Sequence, residues 1–117
     1  MIRIALAGVL ALALSACSVA PRDAPQAAYE GTVAFAAALK GANAYAAMPR
    51  CSATIKPPCS QQAVVDKIIV YADRADAAVR GAQTVSKDTK SSDTDVQKAV
   101  NAANDAIRAL TQIIPAT

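Results

Sequence analysis

The chain has 117 residues, with 12 Lys and Arg against 9 Asp and Glu and a formal net charge of +3. This balance does not support nucleic-acid binding, which needs a clustered basic face. The chain contains no histidine, which excludes Ser-His and Cys-His nucleophile systems, and no glycine-rich phosphate-binding motif occurs. We therefore predict a non-enzymatic protein with no catalytic residues and no cofactor.

The amino terminus has the zones of a cleaved export signal. Arg3 gives a short positive start, residues 4–14 (IALAGVLALAL) are uncharged and apolar, and Ser15 and Ala16 are small. A membrane-spanning helix needs about 20 apolar residues, so this run is too short to cross a bilayer. Its length and the small residues that follow are typical of a signal peptide, which we predict over residues 1–16.

The segment Leu14-Ser15-Ala16-Cys17 resembles the lipobox of bacterial lipoproteins. The resemblance implies removal of residues 1–16 and attachment of lipid, including acyl chains such as palmitate, to Cys17. The membrane is then a partner through that lipid. Ser18 follows where an aspartate would signal inner-membrane retention in enterobacterial lipoproteins, so the outer membrane, at its periplasmic face, is the expected location. An ordinary secretory signal that happens to contain a cysteine is the alternative.

The cysteine count agrees with lipidation. Three cysteines leave one unpaired in an exported protein. If Cys17 is acylated, Cys51 and Cys59 remain as a pair, and disulfides persist in oxidising compartments. Metal binding is the competing interpretation, but two cysteines without histidine make a poor metal site, so we predict no metal. The spacing also differs from the C-x-x-C of thiol oxidoreductases, and a structural disulfide is expected.

Residues 17–25 are predicted to be the lipidated cysteine and an extended tether, and residues 26–117 one helical domain. The first helix is expected over about residues 25–47. Gly31 and Gly41 either weaken it or allow close approach of a neighbouring helix. Its predicted apolar face consists of Val33, Phe35, Ala36 and Leu39.

The second helix is predicted to start at Ser60 as N-cap and to stop at Gly81. Residues 82–91 (AQTVSKDTKS) then form a polar connection. Apolar residues at helical spacing predict its buried face: Val64, Val65, Ile68, Ile69, Tyr71, Ala72, Ala75 and Val79.

The third helix has the clearest period. Ser92 and Asp95 match an S-x-x-D capping pattern, and Pro115 should close the helix. An a/d seam follows at spacings of four and three residues: Val96, Val100, Ala103, Ile107, Leu110 and Ile114. The expected fold is all-α, an antiparallel three-helix up-down-up bundle after a cleaved signal helix and a short tether.

These features favour a membrane-anchored periplasmic lipoprotein acting as a structural, adaptor or binding module of the envelope. An envelope protein is the expected partner. One alternative is an oligomeric spacing lipoprotein similar to the Braun-type family, self-associating through the third helix. Against it, prolines interrupt the helices and the chain ends in Pro115-Ala116-Thr117 without the lysine used for wall attachment.

A second alternative is a small-ligand carrier with its site inside the bundle. Three tyrosines decide between this alternative and a plain packed bundle. They either line a ligand groove or cap the core with their hydroxyls at the surface. They are Tyr29, Tyr45 and Tyr71.

Overall fold

The structure, a computed structural model, describes residues 24–116. This part of the chain contains three helices and no β-strand: α1 (Ala24–Ala46), α2 (Gln62–Lys87) and α3 (Asp93–Ile113). Each helix contacts the other two, so the helices form a bundle. The all-α class is confirmed, whereas the signal peptide, Cys17 and most of the tether lie outside the described residues.

The extent of α1 agrees with the prediction to within one residue at each end, but part of its predicted face is wrong. Phe35 is buried, whereas Val33 is 52% exposed and Ala36 also faces solvent. The buried side follows Ala28, Phe35, Ala38, Ala42 and Tyr45. Because α1 is rich in alanine on every side, its apolar pattern does not single out a face. Burial of the two large rings of Phe35 and Tyr45 determines which side of α1 faces the core.

The predicted stop of the second helix at Gly81 is wrong. Helix α2 continues through Gly81 to Lys87, with Asp88 as its C-cap. Ala82 is buried and Val85 packs against the core, so apolar burial beyond the glycine keeps this segment helical. Ile69, which was predicted to be buried, is 54% exposed.

Replacing Gly81 with alanine should raise the free energy of unfolding by about 1 kcal/mol. The position is exposed in mid-helix, and an added Cβ would meet nothing within 4 Å. Urea denaturation followed by circular dichroism measures the change. Ala77→Gly, at an exposed position of the same helix, is the matched reverse substitution and should cost a similar amount. A Gly81→Ala variant that is no more stable than the parent would contradict a continuous α2.

The prediction for α3 is confirmed. Ser92 accepts a hydrogen bond from the Asp95 backbone N–H at 3.1 Å, and Asp95 in turn accepts from the Ser92 backbone N–H, which makes a capping box. The seam is buried from Val96 to Leu110. Helix α3 ends at Ile113, just before Pro115. The seam therefore forms part of the intramolecular core.

The core is closely packed where the beginning of α1 meets α3 and the later part of α2. The gap between Ala28, Val79 and Val100 has no space for a water molecule. Short side chains let the helices approach closely and leave no interior cavity at this point. Within residues 24–116, no helix combines the length and the apolar character needed to cross a membrane.

Candidate functional site

The connection between α1 and α2 contains the predicted cysteine pair. The sulfur atoms of Cys51 and Cys59 lie at disulfide distance, and their Cα atoms are 5.1 Å apart, within the usual range for a disulfide. Cys51 is exposed and Cys59 is buried. The pair closes the segment SATIKPP (residues 52–58) into a loop, which we call the disulfide loop.

Backbone hydrogen bonds close the same loop at its base. The Cys51 N–H donates to the Ser60 carbonyl, and the Ser60 N–H donates to the Pro49 carbonyl, both at 2.9 Å. These bonds form an isolated bridge between Arg50 and Ser60. The two ends of the loop are therefore held together by backbone bonds as well as by the cysteine pair.

Arg50 joins the loop base to both helices. Its guanidinium donates to the Gln62 side-chain oxygen at 2.9 Å, to the Ala46 carbonyl at 3.1 Å and to the Ser60 hydroxyl. The Ala46 carbonyl is at the carboxyl end of α1, where a cation also interacts favourably with the helix dipole. Arg50 thus fixes the end of α1 relative to the start of α2.

The predicted role of Ser60 as N-cap of the second helix is wrong. Gln61 occupies the N-cap position and makes no side-chain capping bond. Ser60 is fully buried, and its hydroxyl donates to the Met48 carbonyl at 3.0 Å while accepting from Arg50. A buried hydroxyl needs such partners, because burial without them costs free energy. The hydrogen bonds of the Ser60 hydroxyl therefore join the two sides of the loop base and do not cap α2.

The tip of the disulfide loop is exposed and locally ordered. The Ser52 hydroxyl accepts from the Ile55 N–H at 3.0 Å, and the Ser52 N–H donates to the Ile55 carbonyl at 3.1 Å. Ile55 is nevertheless 41% exposed, and the following Pro57–Pro58 peptide bond is cis. The loop therefore presents an apolar side chain to solvent from a braced base.

A cleft of about 250 Å³ lies beneath the disulfide loop at this end of the bundle. Its lining residues fall in three parts of the sequence, 45–48, 57–64 and 115–116, and all of them are uncharged. They include Tyr45 from the end of α1, Met48 just after it, Pro57 and Pro58 from the loop, Gln61 and Val64 from the start of α2, and Pro115 after α3.

Tyr45 supplies the buried polar group of the cleft. Only 4% of the residue is exposed, and its hydroxyl accepts a hydrogen bond from the Gln61 backbone N–H at 2.9 Å. The other two tyrosines lie elsewhere: Tyr29 is exposed, and Tyr71 packs under Arg74, whose guanidinium carbon is 5.3 Å from the ring centroid. The three tyrosines do not line one groove, and Tyr45 alone belongs to the cleft.

The lining of the cleft offers apolar surface and hydrogen-bonding groups to a bound molecule. The lining combines aliphatic and aromatic residues with the polar residues Tyr45 and Gln61, and none of the lining residues is charged. Among residues 24–116, no three His, Cys, Asp or Glu side chains converge on a possible metal site. The predicted lipidation site, Cys17, lies outside the described residues.

Sequence patterns did not indicate the cleft. Periodicity locates the faces of helices, whereas this cleft is made by helix ends, a loop and the residues after α3. The available signal was compositional, since Pro57, Pro58 and Pro115 all interrupt helical structure. No protein-family model matches this chain, and no curated protein and no solved structure shows significant similarity to it.

Proposed function

We propose that this protein is a lipoprotein anchored at the periplasmic face of the outer membrane, where it acts as a non-enzymatic binding or adaptor module. The observation that carries the binding role is the position of the cleft at the end of α1 opposite to the end that leads to Cys17. A helix of 23 residues is about 34 Å long at 1.5 Å per residue. An anchor on Cys17 would therefore present the cleft away from the membrane.

The anchoring part of the proposal rests on the lipobox resemblance of residues 14–17. One acyl chain holds a protein only marginally, whereas the two or three chains of bacterial lipoproteins give stable attachment. Residues 18–23 separate Cys17 from the first turn of α1. Ser18 favours transfer to the outer membrane over retention at the inner membrane.

Three features support the antiparallel up-down-up arrangement that this geometry requires. Tyr45, near the end of α1, bonds to Gln61 just before α2. Thr32, in the first half of α1, accepts from the Gln83 side chain near the end of α2 at 2.7 Å. The short connection between α2 and α3, residues 88–92, is typical of antiparallel neighbours.

The geometry of the bundle gives different support to the two alternative functions, the oligomeric spacing role and the small-ligand carrier. The oligomeric spacing role was motivated by the α3 seam, which is buried within the chain and so offers no surface for self-association. The small-ligand carrier was expected to hold its ligand inside the bundle, and at Ala28, Val79 and Val100 the helices leave no room for water. The cleft at the end of the bundle is a different site for the same role, which makes a carrier the second candidate.

The anchoring proposal predicts complete dependence of membrane attachment on Cys17. In cells, the parent chain should sediment with outer membranes, and blocking the lipoprotein signal peptidase should make a larger precursor accumulate. Cys17→Ser removes the only group that forms the thioether to diacylglycerol. Cys51→Ala/Cys59→Ala, which keeps Cys17, is the matched control and should stay with the membrane. Cleavage that is insensitive to the block would contradict lipidation.

The binding role predicts a partner at the cleft end of the bundle. A photo-crosslinking residue placed at Ile55, on the exposed loop tip, should capture a discrete envelope component in intact cells. Lys98, on the exposed side of α3, is the control position and should not capture that component. Identical adducts at both positions, or none at Ile55, would count against a binding end.

A further inference from the structure

We propose that the cleft binds a small uncharged ring compound carrying one hydrogen-bond-accepting oxygen, and that the Tyr45 hydroxyl donates to that oxygen. This inference rests on the proposed binding role of the cleft and specifies its ligand class. It assigns a free small molecule as the occupant. Four properties of the cleft support this proposal: its uncharged lining, its size, the unused donor of the Tyr45 hydroxyl and the bracing of its walls.

The lining of the cleft disfavours a charged ligand. No residue that lines the cleft carries a formal charge, so a charged ligand would lose hydration without gaining an opposite partner. The prolines and Met48 instead offer apolar surface to a ring, and thioether sulfur makes favourable contacts with aromatic rings. A neutral ring therefore matches the walls better than an ion or an extended polar molecule.

The size of the cleft suits a small ring compound. A volume of about 250 Å³ corresponds to roughly eight water molecules at about 30 Å³ each. Sites for drug-sized ligands usually begin at about 300 Å³. A single ring with one short substituent fits within this volume, since a cavity of about 150 Å³ already holds benzene.

The hydroxyl of Tyr45 is the group that orients a ligand in the cleft. It accepts from the Gln61 N–H, but among the hydrogen bonds of residues 24–116 its own hydrogen has no acceptor. A phenolic hydroxyl both donates and accepts, so one donor remains in a residue that is 96% removed from solvent. Because Gln61 also lines the cleft, this donor lies at the cleft wall, where a carbonyl or ether oxygen of a ligand completes its bonding.

The walls are held before any ligand arrives. The cysteine pair and the bonds of Arg50 and Ser60 brace the loop side, and the ends of the helices form the other sides. A preformed site loses little conformational freedom on binding, which is the condition under which a small ligand binds measurably.

Benzamide, benzoate and toluene test the inference, because they share a ring and differ in charge and in the acceptor. The processed, lipidated protein in phospholipid nanodiscs is titrated with each probe, and empty nanodiscs correct for partitioning into lipid. Met48 is the only methionine besides Met1, so its ¹³C-labelled methyl group reports on the cleft. Benzamide should bind most tightly, toluene more weakly, and benzoate at least tenfold more weakly than benzamide.

Two variants separate the hydroxyl from the cleft itself. Tyr45→Phe removes the donor and should weaken benzamide about tenfold, to the level of toluene, while toluene is unchanged. Val64→Phe fills the cleft and should weaken both neutral probes at least tenfold. Ile69→Phe, at an exposed position of the same helix, is its matched control and should change neither. Circular dichroism verifies that each variant is folded.

The inference is overturned if no probe shifts the Met48 methyl group, if benzoate binds as well as benzamide, or if Tyr45→Phe leaves benzamide binding intact. Crosslinking at Ile55 is independent of these titrations. A protein captured there, together with no probe binding, would leave the adaptor role standing and reject the small ligand. Loss of membrane attachment in the parent chain would reject the anchor and leave the ligand inference standing.

Discussion

Replacing Leu110 with alanine should lower the free energy of unfolding by about 3–5 kcal/mol. Leu110 lies on the core side of α3, is 0% exposed and is the largest fully buried side chain among the described residues. The loss includes the transfer of the side chain from water and the cavity left behind. Much of the surrounding core is alanine and valine, whose short side chains cannot extend into the gap. The cost should therefore fall at the upper end of the range.

Urea denaturation monitored by helical circular dichroism measures this loss. A small domain has a total stability of about 5–15 kcal/mol, so Leu110→Ala should shift the midpoint strongly or leave the chain partly unfolded at room temperature. Ile69→Ala removes a similar side chain at a position that is 54% exposed, and it should cost much less. Equal losses in the two variants would show that Leu110 is not at the centre of the core.

Loss of the Cys51–Cys59 bond should lower the free energy of unfolding by about 2–3 kcal/mol on the chain-entropy model for a loop of this length. The effect arises mainly in the unfolded chain, which gains freedom when the loop is opened. Native helical content should change little, because the bonds of Arg50 and Ser60 still join the loop base to both helices.

The double variant Cys51→Ala/Cys59→Ala and chemical reduction of the parent provide two routes to this state. Denaturation midpoints of both should agree, and reoxidation should restore the parent value. Alkylation followed by mass measurement, with and without reductant, counts the thiols directly. Cys17→Ser keeps the pair and serves as control, since its stability should match the parent. A parent chain whose stability does not respond to reductant would contradict a stabilising disulfide.

Helix existence and the core face of α3 could be predicted from the sequence because their causes are local. The Ser92 capping box is made by residues three positions apart, and the seam that begins at Val96 repeats on one side of one helix. The pairing of Cys51 with Cys59 follows from a count of cysteines and a short separation. Each of these inferences needs only the residue types and their spacing.

The errors occur where distant contacts outweigh local preference. Gly81 is a poor helix residue, but the burial of Ala82 beyond it keeps α2 helical. Ser60 is a good N-cap residue by type, yet its hydroxyl forms hydrogen bonds with Arg50 and the Met48 carbonyl on the other side of the loop base. Val33 belongs to an apolar run, but Phe35 and Tyr45 turn α1 so that Val33 faces solvent.

Most of the candidate site could not be predicted for the same reason. Tyr45 was one of three equivalent tyrosines in the sequence, and only the structure brings it together with Gln61, the disulfide loop and Pro115. These groups are separated by up to 70 positions in the chain. No periodicity or short motif encodes a cavity formed by the end of α1, the start of α2, a loop and the residues after α3.

The sequence by itself determined the all-α class, the approximate boundaries of α1 and α3, the buried seam of α3 and the pairing of two cysteines, because spacing and capping act between near neighbours. Only the tertiary structure decided the length of α2, the outward face of α1, the role of Ser60 and the uncharged cleft around Tyr45. The physical reason is that burial and hydrogen bonding in these places depend on side chains brought together by packing, and packing joins residues that are far apart in the chain.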